Sequence, residues 1–506
     1  MAVEEEPTGL QPLKPISKES EKASDPSFKD VYPQVVIVCI LHSVFMQTGI
    51  NVSYSATTLP QLLEEGSSLR VTEDQASWIA SLVAIATLVG SLACGVPMDV
   101  YGRKATAIIT CLPISLGWVL LAFTPNNVWI VYIARVLTGL GGGMTTVCLV
   151  YIGEICHQQF RPMLLSLNSA FVSLGIVVTN ILGVYLHWRT VAFCSGMFSV
   201  ATLLGIWLYC PESPQWIITY QPDNLSEAKK SLDRLYTNKA FAQTEYNRLL
   251  DSHQTRQVNK QPSSNFLKEV FKGQNLIPLL VLTTIFLFQQ LCGSYPIFFY
   301  AVNLFESIGT SVDKYEALIL LGVARLIISF VTAMASKKIG RRPLMIASGI
   351  GMTVSSVVVA VFFSQRPYEG LFAHADNQTD LTTVTNADPY SWVGAVSILI
   401  YVSMTAFGFL IIPWSLIGEL LPMSIRGNGS GFIICFTHII MFGAVKYFPH
   451  FLDVFKISGA FYFFCFISVS GTVFVYYFLP ETLGKSFDDI GKHFESLRKG
   501  RRTLAV

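Results

Sequence analysis

The sequence predicts an all-α membrane protein: twelve transmembrane helices in two pseudo-symmetric six-helix bundles, with a helical linker between them on the cytosolic side. Three observations predict it. Of 506 residues, 52% are hydrophobic and 13% charged, against about 25% charged in soluble domains. About twelve apolar runs approach the ~20 residues a helix needs to cross the hydrocarbon core. The Gly-Arg-basic ending of "GVPMDVYGRK" at 95–104 returns in "SKKIGRRP" at 336–343, the mark of an internal repeat.

In chain order the runs cover roughly 34–54, 76–97, 105–123, 128–152, 163–186 and 191–209, then 276–300, 315–335, 343–363, 391–415, 428–446 and 458–479. The implied organisation is a disordered tail (1–33), a first bundle (34–210), a linker (211–275), a second bundle (276–480) and a second tail (481–506). The first tail has acidic, Lys, Ser and Pro residues and no apolar core, so it does not read as a cleaved signal. Within the linker, Ala228, Leu232 and Leu235 recur at helical spacing among charges, which predicts a solvated helix bracing the halves.

Basic residues set the sidedness. Arg103, Lys104, Arg161, Lys338, Arg342 and Arg426 fall in alternate short connections, on the same side as the linker and the basic end of the chain. By the positive-inside rule that side is the cytosol, and both termini lie there. The connection at 61–75 carries Glu64, Glu65, Glu73 and Asp74 against Arg70 alone, as an outside loop should. Asn377, in the Asn-Gln-Thr triplet of the longest outside connection, is a candidate glycan acceptor. The triplets at Asn51, Asn224 and Asn428 are misplaced for that role.

Several function classes drop out. A net charge of +2 with no basic stripe argues against nucleic-acid binding. The ten cysteines sit mostly in the oily runs, as Cys39, Cys94 and Cys148 do, and make no disulfide framework. No H-E-x-x-H or G-x-S-x-G element is present, "GKS" at 484–486 lacks the leading glycine of a phosphate loop, and "GLGGGM" at 139–144 reads as a helix-packing face. Enzymatic chemistry, a metal and a bound cofactor are therefore not expected.

The charged knot at 95–104 needs explaining. Lipid-facing anchorage accounts for Arg103 and Lys104, but a carboxylate at the membrane edge, Asp99, is costly unless paired. An acid–base knot that forms in one arrangement of the halves and breaks in another is a conformational latch.

Gly95-x-x-x-Asp99-x-x-Gly102-Arg103-Lys104 resembles the signature loop of the major facilitator superfamily. "PESPQW" at 211–216, "PETLGKS" at 480–486, and the pair "YIGEICHQQFRP" (151–162) and "IGELLPMSIRG" (417–427) narrow the resemblance to the sugar porters, most like the trehalose-transporter branch. "QQLCGSYPIFFY" at 289–300 and "IPW" at 412–414 are similar to that family's seventh and tenth helices.

The resemblance implies alternating access: two halves rocking about a central site in a plasma-membrane protein that works as a monomer. It implies gating charges at Asp99, Arg103, Lys104, Glu154, Arg161 and Glu212, repeated at Arg341, Glu419, Arg426 and Glu481. Lys337 and Gln215 stand where the family has an acid and an Arg, so the second-half latch should be weaker. For substrate it implies Gln289 and Gln290 as hydrogen-bonding amides, Phe299 and Tyr300 as an aromatic outer gate, and Trp414 beneath the sugar.

Other positions depart from the pattern. Tyr295 replaces an Asn, Ala406 a polar residue, Thr437-His438 the usual Asn-Trp, and Ser173 is the nearest match to a Gln. Arg325, mid-helix, costs about 2.5–3.5 kcal/mol on insertion scales and should face a wet cavity, which leaves an anionic substrate open. Arg135 matches the family's fourth-helix Arg, yet the first helix ("CILHSVFMQTGINVSYS") has no carboxylate to oppose it. Facilitated diffusion of trehalose or a hexose is the expectation, with proton symport through His42 or a non-transporting sugar sensor as alternatives. A lone His in a bundle, such as His42 or His438, is otherwise a core residue.

Overall fold

The computed structural model describes residues 29–64, 66–258, 273–307, 313–336, 338–365, 371, 391–421, 425–483, 485 and 494. Most of the first tail, Asn377 and Lys337 lie outside the described residues, as does the side chain of Arg426.

The first half holds six apolar helical spans: Tyr32–Leu63, Glu73–Tyr101, Arg103–Ala122, Val128–Ile155, Met163–Tyr185 and Trp188–Tyr209. The second half holds Asn275–Phe299, Lys314–Ala335, Arg341–Ser364, Trp392–Leu420 and one run of 50 residues, Gly429–Phe478. A straight helix that long would extend about 75 Å, more than twice the hydrocarbon core. Lys456, at φ 57 and ψ 174, breaks it. The eleven runs therefore make twelve crossings, as two sets of six.

Local chemistry sets the ends. The second span starts at a capping box, with Thr72 Oγ1 accepting from Gln75 N and Gln75 Oε1 accepting from Thr72 N. The first span outruns the apolar stretch at 34–54 because Thr57, Thr58 and Pro60 are buried against the bundle, so its last turns need no lipid. Two spans are broken. The seventh turns at Gly293, whose φ of 80 is left-handed. The tenth leaves helical geometry between Phe407 and Ile412, ahead of Pro413.

Apolar side chains such as Val89, Leu112, Phe193, Val354 and Phe466 are exposed on the outside of the bundle, a surface that suits lipid and would aggregate in water. Inside, the fourth span lies close on the second: a Cβ at Gly143 would overlap the carbonyl of Thr87. "GLGGGM" is accordingly a packing face.

The halves meet mainly along two pairs of spans, the fifth with the eighth and the second with the eleventh, and the first span also touches the broken end of the seventh. Between them in sequence, the linker forms helices Pro214–Tyr220, Leu225–Leu235 and Lys239–Val258. Ala228, Leu232 and Leu235 are the buried face of the middle one. Its neighbour Tyr236 and Leu232 pack with Val31, Ile155 and Leu164, and Thr237 N donates to Asp30 O. These contacts brace the first half, where the spacing alone suggested a brace on both.

Candidate functional site

A cavity of about 190 Å³ lies between the halves. The first half lines it with Thr48 and Asn51, Thr87 and Ser91, and Asn168 and Ser169. The second half contributes Tyr295, Arg325, Ser329, Trp414 and His438. It reaches from mid-span toward the face that carries the linker.

The other face is closed. Lys446 of the eleventh span donates to Asp74 Oδ1 at 2.6 Å and Ser77 Oγ at 2.7 Å, and sits 4.3 Å from the centre of the Trp78 ring. Trp78 in turn meets Phe442, with ring centroids 6.0 Å apart. Asn180 Nδ2 donates across the halves to Leu318 O at 2.8 Å, and Ser173 Oγ and Ser329 Oγ are 2.9 Å apart at mid-span. Of the residues just named, only Ser173 is among the sequence candidates for the site.

Asp74 is 76% exposed, so its ion pair contributes at most ~1 kcal/mol, with a similar amount from the cation–π contact. Lys446→Met is expected to shift the conformational balance toward opening on this face by roughly fivefold to tenfold. Distance distributions between spin labels on the opposite-face ends of the second and eleventh spans read this shift; identical distributions for parent and variant would refute it.

Tyr295, Arg325 and Trp414 are thus brought to the cavity, and the other sequence candidates are not. Gln289 Nε2 donates to Phe409 O and Leu410 O at 3.0 and 2.9 Å. The break in the tenth span strands those carbonyls at membrane depth, and Gln289 satisfies them. Gln290 Nε2 donates to Gln289 Oε1 at 3.1 Å, leaving its own Oε1 buried without a partner.

Phe299 and Tyr300 are fully buried, with Tyr300 Oη donating to Val445 O. They pack the closed face. Thr437 Oγ1 donates back to Ile433 O, and its neighbour His438, about 100° further round the helix, lines the cavity in its place. His438 is buried and hydrogen-bonded to Ile434 O, as a core histidine is expected to be, and lines the cavity as well. His42 is a core residue only: its Nε2 lies 2.8 Å from Leu164 O and its ring stacks on Phe171, away from the cavity.

The two buried arginines differ sharply. Each side-chain nitrogen of Arg135 has a partner: Nε donates to Ile79 O, Nη1 to Asn51 Oδ1 at 2.7 Å, and Nη2 to Asn51 O and Ser55 Oγ. The group opposite it on the first span is therefore a neutral amide. The Arg325 side chain makes no hydrogen bond among the described residues, while its carbonyl accepts from Ser329 Oγ. Its Nη1 is buried without a partner, and its guanidinium lies 4.5 Å over the Phe298 ring.

The linker face carries two matching knots, one in each half. In the first, Arg103 forks onto Glu154, through Nε at 3.0 Å to Oε2 and Nη2 at 2.9 Å to Oε1, while Nη1 donates to Met98 O at 2.8 Å. Glu212 accepts from the backbone N–H groups of Arg103, Lys104 and Ser213, and Ser213 Oγ donates to Glu154.

In the second knot Arg341 donates to Glu419 Oε1 through Nη2 at 2.9 Å and to Ser336 O at 2.7 Å. Glu481 accepts from the backbone of Arg341, Arg342 and Thr482, and Thr482 Oγ1 donates to Glu419. Gly102 and Gly340 have φ of 92 and 91, and a Cβ at either would overlap the carboxylate of Glu212 or Glu481. Only glycine lets the acid sit against that turn.

Burial pushes the Glu212 carboxyl upward, while the N–H groups of Ser213, Lys104 and Arg103 and the charge of Arg103 pull it back. Asp99 stands apart: its Oδ1 is 3.7 Å from Arg103 Nη1, and it is 58% exposed. Arg161 Nη2 donates to Cys156 O in its own loop. With the cavity extending to this face, the knots each close within one half.

The family model described as "Sugar (and other) transporter" matches residues 23–494. The facilitated trehalose transporter Tret1 of Bombyx mori is 31% identical over 444 residues, covering 87% of this chain and 84% of that protein. Tret1 of Polypedilum vanderplanki is 29% identical over 462 residues, covering 91% and 88%. Among solved structures, the proton:xylose symporter XylE bound to 6-bromo-6-deoxy-D-glucose superposes with a TM-score of 0.71 at 18% identity, over 92% of this chain and 100% of that one. At that identity the likeness is one of fold.

Proposed function

The chain belongs to the sugar (and other) transporter family, and from that premise we propose that it is a facilitative carrier of a small carbohydrate, trehalose or a hexose, working by alternating access. The observation that carries this reading is the cavity between the halves, to which both halves contribute polar side chains, closed on one face by Lys446, Trp78 and Phe442. The rocking bodies are 34–210 and 276–480, and the linker helices Pro214–Tyr220 and Leu225–Leu235 stay fixed to the first of them.

In this reading the linker face is cytosolic, so the conformation faces inward, with both termini inside a plasma-membrane monomer. Tyr295 and Trp414 offer the hydroxyl donor and flat ring that a sugar needs. When the protein faces outward, the Arg103 and Arg341 knots approach each other and close the cytosolic side. Asn377 is the glycan acceptor outside.

Facilitated diffusion is favoured over proton symport because Arg135 is held by Asn51 rather than by an acid. The test is uptake of radiolabelled trehalose and glucose into proteoliposomes, with and without a pH gradient. Saturable flux that equilibrates and ignores the gradient is expected. Accumulation against a gradient would make it a symporter, and binding without flux a sensor.

A further inference from the structure

Two arginines are buried in the membrane region, and only Arg135 has its hydrogen bonds supplied by the protein. Arg325 is 8% exposed, lines the cavity, and keeps a buried Nη1 with no partner. The Phe298 ring beneath it takes part of the charge but cannot accept the in-plane N–H groups. A guanidinium taken out of water in this way is strongly disfavoured unless an anion meets it, and its planar fork matches a carboxylate.

No Asp or Glu is among the described residues that line the cavity. The other titratable lining groups are Tyr295 and His438, and His438 holds its Nδ1 2.8 Å from Ile434 O, which suits the neutral ring with Nδ1–H donated. The cavity thus presents one full positive charge. Facing it from the first half are the uncharged polar side chains Asn51, Thr87 and Asn168.

We propose that the preferred cargo is a monoanionic carbohydrate, a sugar acid of the uronate type, with its carboxylate on Arg325 and its hydroxyls toward the first-half amides and hydroxyls. The proposal rests on the carrier reading above and names the substrate class within it. Charge balance selects the carboxylate over a phosphate ester. The latter carries about −1.5 to −2 at neutral pH and would leave excess negative charge in the bundle.

Net uptake of labelled glucuronate, glucose and glucose 6-phosphate into proteoliposomes holding the full chain tests this, with potassium and valinomycin setting the potential. Glucuronate flux is expected to exceed glucose flux by about tenfold, or ~1.4 kcal/mol of selectivity. An inside-positive potential should speed it, because one net negative charge crosses per cycle. Arg325→Gln should lower glucuronate flux by about a hundredfold, and Arg325→Lys should recover part of the loss.

Glucose carried while glucuronate is neither carried nor competitive would overturn the proposal and leave the carrier intact. Preference for glucose 6-phosphate would overturn the monoanion assignment. No flux of any of the three, nor of trehalose, would remove the carrier reading and this one with it. The comparison among cargoes uses the unaltered protein, so a poorly folding Arg325 variant does not blunt it.

Discussion

Arg103→Ala is expected to destabilise the folded protein by about 3–5 kcal/mol, enough to remove most of it from the membrane. The Arg103 and Glu154 side chains are each 11% exposed, so removing the guanidinium leaves Glu154 charged, buried and reduced to the hydroxyl of Ser213. Met98 O loses its donor at the same stroke. Because Glu154 belongs to the fourth span and Ser213 to the start of the linker, the knot ties three separate pieces of chain.

Arg341→Ala removes the equivalent pair, but there the side chains are 20% and 27% exposed. Water can replace more of what is lost, and a smaller effect of about 1–3 kcal/mol is expected. Lys104→Ala should be close to neutral, since it is the Lys104 backbone N–H that meets Glu212. Thermal unfolding in detergent, with surface expression beside it, ranks the three. An Arg341 variant as damaged as the Arg103 variant would mean that burial does not set the strength of these knots.

That ranking was half legible in the sequence. Spans, repeat and knots could be read because each is written locally: apolar runs of sufficient length, and a Gly-Arg-basic turn that appears twice. A weaker second latch is the expectation from Lys337 and Gln215 as well, and the greater exposure of the Arg341–Glu419 pair is a separate reason to expect it.

The cavity was less legible because its membership depends on distant geometry. Gln289 looks like a ligand until the tenth span breaks and its carbonyls need a donor. Lys446 finds Asp74 at 372 residues' separation, and nothing local announces the pairing. Thr437 and His438 differ by one residue, but on a helix that changes which of them faces inward. One cue was available: Thr48 and Asn51, three apart on one helical face of an apolar run, are polar groups with no use in lipid.

Asn51→Asp should convert a transport cycle that ignores pH into one that depends on it. Asn51 Oδ1 accepts from Arg135 Nη1 at 2.7 Å, and both side chains are buried. A carboxylate of nearly the same shape keeps that bond but adds a charge that can be neutralised by a proton. Ionised, it forms a tight pair with Arg135, strengthened by the low-dielectric surroundings.

Protonated, it offers about what the amide offers now. Asn51 also lines the cavity, so water reaches the site when the cavity is open and the carboxylate can exchange its proton there. Each unit of difference in its pKa between the two orientations couples about 1.4 kcal/mol of conformational free energy to pH. Uptake by the variant is therefore expected to change about tenfold or more between mildly acidic and mildly alkaline buffer, where the parent changes less than about twofold. Arg135→Met in the same background should abolish that pH dependence, since the carboxylate would then have no cation to release. A flat pH profile for Asn51→Asp with normal folding would show that the Arg135 site takes no part in the conformational cycle.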